Sequence, residues 1–518
     1  MLDGDNLGGT TRRLSGRCDC ANILRRTGFA LVCLALASLP EWTTAQAQNR
    51  EHHSGLELRS SDTRLVQAFG WSKKQAMAYV FDGDPVGPWY EASLPGRRAF
   101  CMRDVSHQVA GAQALGLAAY NRNMLHRFAE NISASRDWCS YWEIDYLNRP
   151  APVDYKNDQE FWYNLPANFD VLDACYRMYL WTGDRAYIED PVFFNFYKRT
   201  VKDYVSRWKL GAGQVMVREN KIQGRPYFRG DPSYEESKPE IVLGVDLLAT
   251  QYAAYRAMAA IEGIRGDTSA ARMSLQNAND VKSLINTKWW NPSEKYFYAF
   301  LNQDRHFEGR AGADLLYRDA AEDGPKARGA LDAMLKTMRQ EPESAVEPQS
   351  HYAEILYRYD EPGAAYAEIM DLARPGRLRQ EYPEVSYSVV GAIVNGLMGI
   401  NVVPAASIEE IGQGRKFETV VETLPHLTTN TSWAELRNLP VLRGTITVRH
   451  EGRQKTVLTN EGNTDLDWKA VLPGSFATLT VNGKAIQAHS EPDCFGHPLT
   501  WVKIGVKPGA SSSVETPR

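Results

Sequence analysis

Between about residues 60 and 400 the apolar side chains recur at helical spacing, segment after segment. Val245, Leu248, Ala249, Tyr252, Tyr255 and Ala259 follow the 3.6-residue period. Val105 to Tyr120 is apolar nearly all round, which predicts an inner helix buried on every side. The same reading predicts helices over 123–135, 166–182 (stopped by Gly183), 191–206, 270–287, 326–339, 351–359, 363–373 and 386–398. The segments joining these helices are crowded with Trp, Tyr, Asp and Glu. A helix bundle carries its functional groups between helix faces; groups gathered in the loops fit a ring of helix hairpins whose loops build one mouth. Strands do not alternate with these helices, and neither a glycine-rich nucleotide loop nor a short repeat is present.

After Val402-Val403-Pro404 the texture changes. Residues 444–449 and 454–459 alternate apolar with polar, 478–487 carries the hairpin dipeptide Asn482-Gly483, and 499–504 is a further strand candidate. These observations divide the chain into 1–47, a secretory signal region; 48–404, a barrel of helix hairpins; and 405–518, a C-terminal β-sandwich. The signal is read from Arg25-Arg26, the apolar run Gly28 to Leu39 and the small residues of Ala45-Gln46-Ala47. The expected destination is periplasmic or secreted, with no membrane contact after cleavage, since the run is too short for a permanent span. A net charge of −4 offers no basic face for nucleic acid. Beyond the leader four cysteines remain: Cys101, Cys139, Cys175 and Cys494. An even number in an oxidising compartment allows a Cys101–Cys139 bridge; buried free thiols are the alternative, above all for Cys175 on a helix.

One stretch concentrates chemistry. Trp89 to Gln108 packs Trp89, Tyr90, Arg103, Asp104 and His107 just ahead of an apolar helix. Aromatic faces stack on sugar C–H surfaces, and Arg and Asp hydrogen-bond vicinal hydroxyls. The segment 138–170 adds Trp142, Glu143, Asp158, Trp162 and Asn164, read as subsite walls and hydroxyl contacts, with Glu143 or Asp158 a possible acid; the alternative is a long loop of mutually bonded polar groups. Two acidic segments stand out further on. Asp231, Glu235 and Glu236 precede the periodic helix from Val245, and the adjacent glutamates would raise one another's pKa. Glu384 follows Pro383 at a helix start, with Tyr387 a turn later, and Glu347 precedes a helix beginning near His351. Each of these carboxylates has helix capping as its plain alternative. Along the sequence no histidine pair sits at ligand spacing, so no metal and no cofactor are expected, and His107 and His351 are read as sugar hydrogen-bonding or packed residues.

The order of signal, helical ring and β-sandwich resembles the six-hairpin glycosidase superfamily, the (α/α)6-barrel enzymes. Arg103-Asp104 is similar to the sugar-gripping pair of the glucoamylase, trehalase and glucosidase relatives. Phe161-Trp162 with Trp181-Thr182-Gly183-Asp184, and Trp289-Trp290-Asn291 with Tyr296-Phe297-Tyr298, resemble their hairpin segments. Glu384 to Ile400 is similar to the last barrel helix of bacterial α-L-rhamnosidases. The resemblance implies a mainly α (α/α)6 barrel followed by a β-sandwich, and a glycoside hydrolase acting on a carbohydrate with two carboxyls, inverting and exo-acting. It places the acid among Glu236 (first choice), Glu235 and Asp231, and the base at Glu384, with Glu347 as the alternative. Two other readings compete. One is a polysaccharide lyase using Tyr90, His107 and Arg103; the other is a sugar-binding protein without catalysis.

Overall fold

The computed structural model describes residues 52–219, 229–236 and 240–517. The signal region and Ser237 to Pro239 of the acidic segment lie outside them. The principal helices are α1 (Thr63–Ala78), α2 (Met102–Ala114), α3 (Ala118–Glu130), α4 (Ala167–Thr182), α5 (Pro191–Arg199) and α6 (Val245–Ile264). They continue with α7 (Thr268–Lys288), α8 (Ala313–Tyr317), α9 (Pro325–Met338), α10 (Val346–Arg358), α11 (Pro362–Leu372) and α12 (Pro383–Gly391). Local chemistry sets many of the ends. Asp62 caps α1 by accepting from the backbone of Arg64 and Leu65. Gly183 ends α4 in the left-handed region at φ 63°. Proline occupies the start of α5, α9, α11 and α12, where its missing N–H costs nothing. The single helix expected over 105–120 is two elements, because Gly116, at φ 90°, turns the chain between α2 and α3.

The helices alternate in kind. In α6, 17 of 20 residues are buried, whereas α7 buries only 6 of 21, so the first is walled on all sides and the second faces solvent. Packing follows that alternation. α2 packs on α4, α4 on α6, α6 on α8, α8 on α10, α10 on α12, and α12 returns to α2. Five outer helices back them: α3 against α2 and α4, α7 against α6, α9 against α8, α11 against α10 and α1 against α12, while α5 packs on α3. The α2–α12 approach is close enough to require glycine, since a Cβ on Gly111 would lie 2.0 Å from the Tyr387 carbonyl oxygen.

Two sheets complete the chain. Their strands are β1 (Glu57–Ser60), β2 (Ile400–Pro404), β3 (Thr419–Thr423), β4 (Trp433–Val441), β5 (Gly444–Glu451) and β6 (Lys455–Asn460). The rest are β7 (Leu466–Pro473), β8 (Thr478–Val481), β9 (Lys484–Gln487), β10 (His489–Pro492), β11 (Pro498–Val506) and β12 (Ser511–Glu515). One sheet has the order β1-β4-β5-β6-β12-β8-β9 and the other β2-β3-β7-β11-β10. Asn482 and Gly483, both at positive φ, make the β8–β9 turn. The sheets draw two strands from the helical side of the expected boundary at 404: β2, and β1, which precedes the first helix and pairs Glu57 with Arg437. Leu436, Val448, Leu458, Trp468 and Val502 join the same continuous apolar core as the helices. Cys101, Cys139, Cys175 and Cys494 are free thiols, so the Cys101–Cys139 bridge does not form; both thiols are buried.

Candidate active site

Every helix of the inner circuit carries an acid in its first turn: Asp104, Asp170, Asp246, Asp314, Glu347 and Glu384. A carboxylate there faces unpaired backbone N–H groups and the positive end of the helix dipole. Because α2, α4, α6, α8, α10 and α12 pack in a closed succession, their starts converge. Five of the six acids, all but Asp104, line one cavity of about 830 Å³, within the usual size of small-ligand pockets. Among the described residues its wall holds eight carboxylates and three guanidinium groups, with Tyr234, Tyr317 and Tyr352 supplying aromatic faces.

Glu384, like Asp170, has no exposed surface. Its Oε1 lies 2.7 Å from His351 Nε2 and 3.2 Å from His107 Nδ1. The two rings meet edge to face, centroids 4.2 Å apart. Its Oε2 is buried without a hydrogen-bond partner among the described residues. Burial, reinforced by Asp104, holds the Glu384 carboxyl well above its ordinary range. Burial also pushes His351 down to about 4, and burial with the neighbouring His351 lowers His107 well below its usual value. Burial thus disfavours charge on all three groups, the carboxyl and both imidazoles.

Beside it runs a second network. Asp170 accepts from the Tyr234 hydroxyl and is paired with Arg318. Arg318 also reaches Asp173 at 2.6 Å, and Asp173 holds Arg177 at 3.0 Å. Arg177 donates to the Ser106 carbonyl at 2.8 Å, so side chains of α4 and the end of α8 are pinned to α2. The acidic segment is anchored from below. Asp246 Oδ2 accepts from Ser233 Oγ at 3.0 Å and from the Tyr234 backbone at 2.7 Å, and Glu235 N donates to Ser233 Oγ at 3.0 Å. Burial, then the nearby Asp314, pushes Asp246 up to about 7.

Of the residues singled out in the sequence, Arg103, His107, Glu235, Glu236, Glu347, His351 and Glu384 line this cavity. Arg103 is joined to Asp104 at 3.2 Å; Asp104 stands behind it and accepts from the Tyr382 hydroxyl at 2.8 Å. Glu347 is paired with Arg379 at 2.6 Å. The others pack elsewhere. Trp89 is fully buried, stacked on Phe81 and donating to Asp84, and is no sugar platform. The Tyr90 hydroxyl donates to Asn121 at 2.7 Å in the core, which removes the tyrosine from the proposed lyase trio with His107 and Arg103. The Tyr387 hydroxyl is spent on the Ala76 carbonyl. Asp231 is buried outside the cavity wall, and burial pushes it to about 8.

The segment 138–170 is mainly a buttress. Trp162 Nε1 donates to Asn164, and Asn164 donates to the Ser233 carbonyl at 2.8 Å, bracing the acidic segment from behind. Asp158 pairs with Arg136 at 2.8 Å, Trp142 packs on Tyr163 and Tyr234, and Glu143, raised to about 9 by burial and Asp154, pairs with Arg97 at 3.2 Å. Only Asp170 of this segment reaches the cavity wall. Sequence reasoning passed over Asp246, Asp314, Tyr317 and Arg318 as site residues. The available signal was an acid in the first turn of a helix, strong for Asp246 in Val245-Asp246-Leu247 and weak for Asp314, whose helix has five residues.

No protein-family model matches the sequence, and no curated protein sequence does. The structure is similar to that of an α-L-rhamnosidase from Dictyoglumus thermophilum, with a TM-score of 0.55 at 13% identity over 90% of this chain and 50% of that one. An α-L-rhamnosidase from Aspergillus terreus gives 0.52 at 12% identity over 87% and 50%. A sialidase gives 0.55 at 12% identity over 86% and 41%. The chain shares the fold of the matching regions of these solved structures. At these identities the likeness speaks for the fold alone, and the chain spans about half the length of the rhamnosidases it matches.

Proposed function

We propose that this protein is a secreted or periplasmic glycoside hydrolase built on an (α/α)6 toroid with a β-sandwich, acting exo and with inversion on a carbohydrate. The closed succession of six inner helices, each backed by an outer one, supports the toroid. The signal-like stretch around Gly28 to Leu39 supports export, and no helix among the described residues is long and apolar enough to cross a membrane. The observation that carries the catalytic reading is that Glu236, from the acidic segment, and Glu384, from the last inner helix, line the same sugar-sized cavity.

In this reading Glu236 protonates the departing glycosidic oxygen and Glu384 takes a proton from the attacking water. His107 and His351 both engage Glu384 Oε1, and Oε2, buried without a partner among the described residues, is the oxygen neither imidazole holds. Asp246 and Asn164 act as positioning residues, holding the segment that carries Glu236. Arg103, Arg318 and the tyrosines offer donors and faces for hydroxyls. The test is a screen of the mature protein on aryl glycosides, α-L-rhamnosides and sialosides first, with the product anomer read by NMR. Hydrolysis with inversion, lowered about 10²–10⁴-fold by Glu384→Gln or Glu236→Gln in a folded protein, is expected. Unsaturated uronate products, or hydrolysis untouched by both substitutions, would overturn the reading. Sugar binding with no turnover would point to a non-catalytic receptor.

A further inference from the structure

His107, His351 and Glu384 come from α2, α10 and α12, and one ligand atom of each lies within 4.8 Å of the others. The 3.2 Å separation of His107 Nδ1 from Glu384 Oε1 is close to the roughly 3.3 Å expected between atoms bound about 2.0–2.1 Å from a common tetrahedral ion, and the 2.7 Å contact of His351 Nε2 would have to open by about 0.6 Å. Hydrogen bonding alone explains those two contacts, but two further features point to a cation. Glu384 Oε2, on a side chain without exposed surface, has no partner among the described residues. The far nitrogen of His107, Nε2, faces Asp170 Oδ2 at 3.8 Å, outside hydrogen-bond distance but on the side where a carboxylate stands behind metal-ligating histidines.

The charges around the cluster also permit a cation. Arg103 and Arg318 are the positive groups on this part of the wall, paired with Asp104 and with Asp170 and Asp173 respectively, and Arg177 and Arg379, whose charges also reach the cluster, are held by Asp173 and Glu347. Two imidazole nitrogens and one carboxylate oxygen suit zinc-class ions; calcium and magnesium prefer all-oxygen shells. Both histidines keep a little exposed surface, 11% and 13% of their side chains, where they line the cavity.

We propose that His107, His351 and Glu384 form a three-ligand site for a divalent transition ion of the zinc class, with its fourth position open to the cavity. Binding depends on this geometry alone. Its consequence rests on the hydrolase reading: an ion on Glu384 withdraws the carboxylate from proton transfer, so zinc inhibits and a chelator restores activity.

The mature protein, stripped with chelator, is titrated with Zn²⁺ against a chromophoric competitor and separately with Co²⁺. One ion per chain and an intense visible Co²⁺ spectrum of a four-coordinate site, displaced by Zn²⁺, are expected. His351→Ala and His107→Ala abolish both signals, Asp170→Asn weakens affinity about 10–100-fold, and His497→Ala, at an exposed pair with Asp493, changes neither. A weak six-coordinate Co²⁺ spectrum in the unaltered protein overturns the proposal, and that measurement needs no variant to fold. Stoichiometric binding retained in folded His351→Ala overturns it equally. Absence of hydrolysis on every sugar tried would defeat the hydrolase reading and leave the binding result standing.

Discussion

Replacing Arg318 by methionine removes the positive charge from the side-chain network beside the cavity while keeping much of its volume. Arg318 is 4% exposed and is shared between Asp170, which has no exposed surface, and Asp173. In the variant Asp173 retains Arg177 at 3.0 Å, and Asp170 retains only the Tyr234 hydroxyl and a distant His107. Removing one partner of a buried ion pair costs about 3–5 kcal/mol, because the remaining charge stays out of water. The compensation at Asp173 puts the expected loss at the lower end, about 3 kcal/mol. With an unfolding entropy of about 2.1 cal/mol/K per residue, a chain with roughly 450 folded residues loses about 1 kcal/mol per degree, so Tm falls by about 3 °C. The assay is scanning calorimetry on the single variant, on Asp170→Asn and on Arg318→Met/Asp170→Asn. Neutralising Asp170 removes the stranded charge, so the double variant should be more stable than the two single losses added together. A single-variant loss under about 1 kcal/mol, or strict additivity in the double variant, would refute the view that this network bears a desolvated charge.

The pH dependence follows from Glu384. Its raised pKa keeps it protonated until the pH exceeds the ordinary carboxylate range, so the acidic limb of kcat/KM, read on any active glycoside, should lie above pH 4.5 and should disappear in the residual activity of Glu384→Gln. Asp231 gives a stability prediction. Its folded pKa of about 8 exceeds the unfolded value, so its contribution is fully present below about pH 4 and is lost as pH rises toward 8. Asp231→Asn should therefore gain stability relative to the unaltered protein between those limits in urea titrations and keep its activity; a gain that shrinks with rising pH would contradict the assignment. Gly111→Ala should cost about 1–3 kcal/mol, because its new methyl meets the Tyr387 carbonyl at 2.0 Å and must push α2 from α12. An unchanged urea midpoint would mean that the two helices separate freely.

The sequence by itself determined the local elements. The 3.6-residue period marked α4, α6 and α7; Gly183 and Pro383 marked where helices end and begin, and Asn482-Gly483 marked the β8–β9 turn. Such features are legible because backbone sterics and one-sided burial act over a few neighbouring residues. It also placed Glu236, Glu384, His107 and His351 at helix mouths, although as separate candidates. Only the tertiary structure decided which of them meet. His107 and His351 reach one carboxylate because α12 packs back onto α2 and α10, a closure no spacing along the chain encodes. The same closure turned Trp89, Tyr90 and Tyr387 into core and the 138–170 segment into a brace. It also let Glu57–Ser60 pair with a strand near the other end of the chain. A dense run of aromatic and acidic residues looks the same in sequence whether it faces a ligand or other side chains, because its composition fixes what it can bond and the packing of distant helices fixes what it does bond.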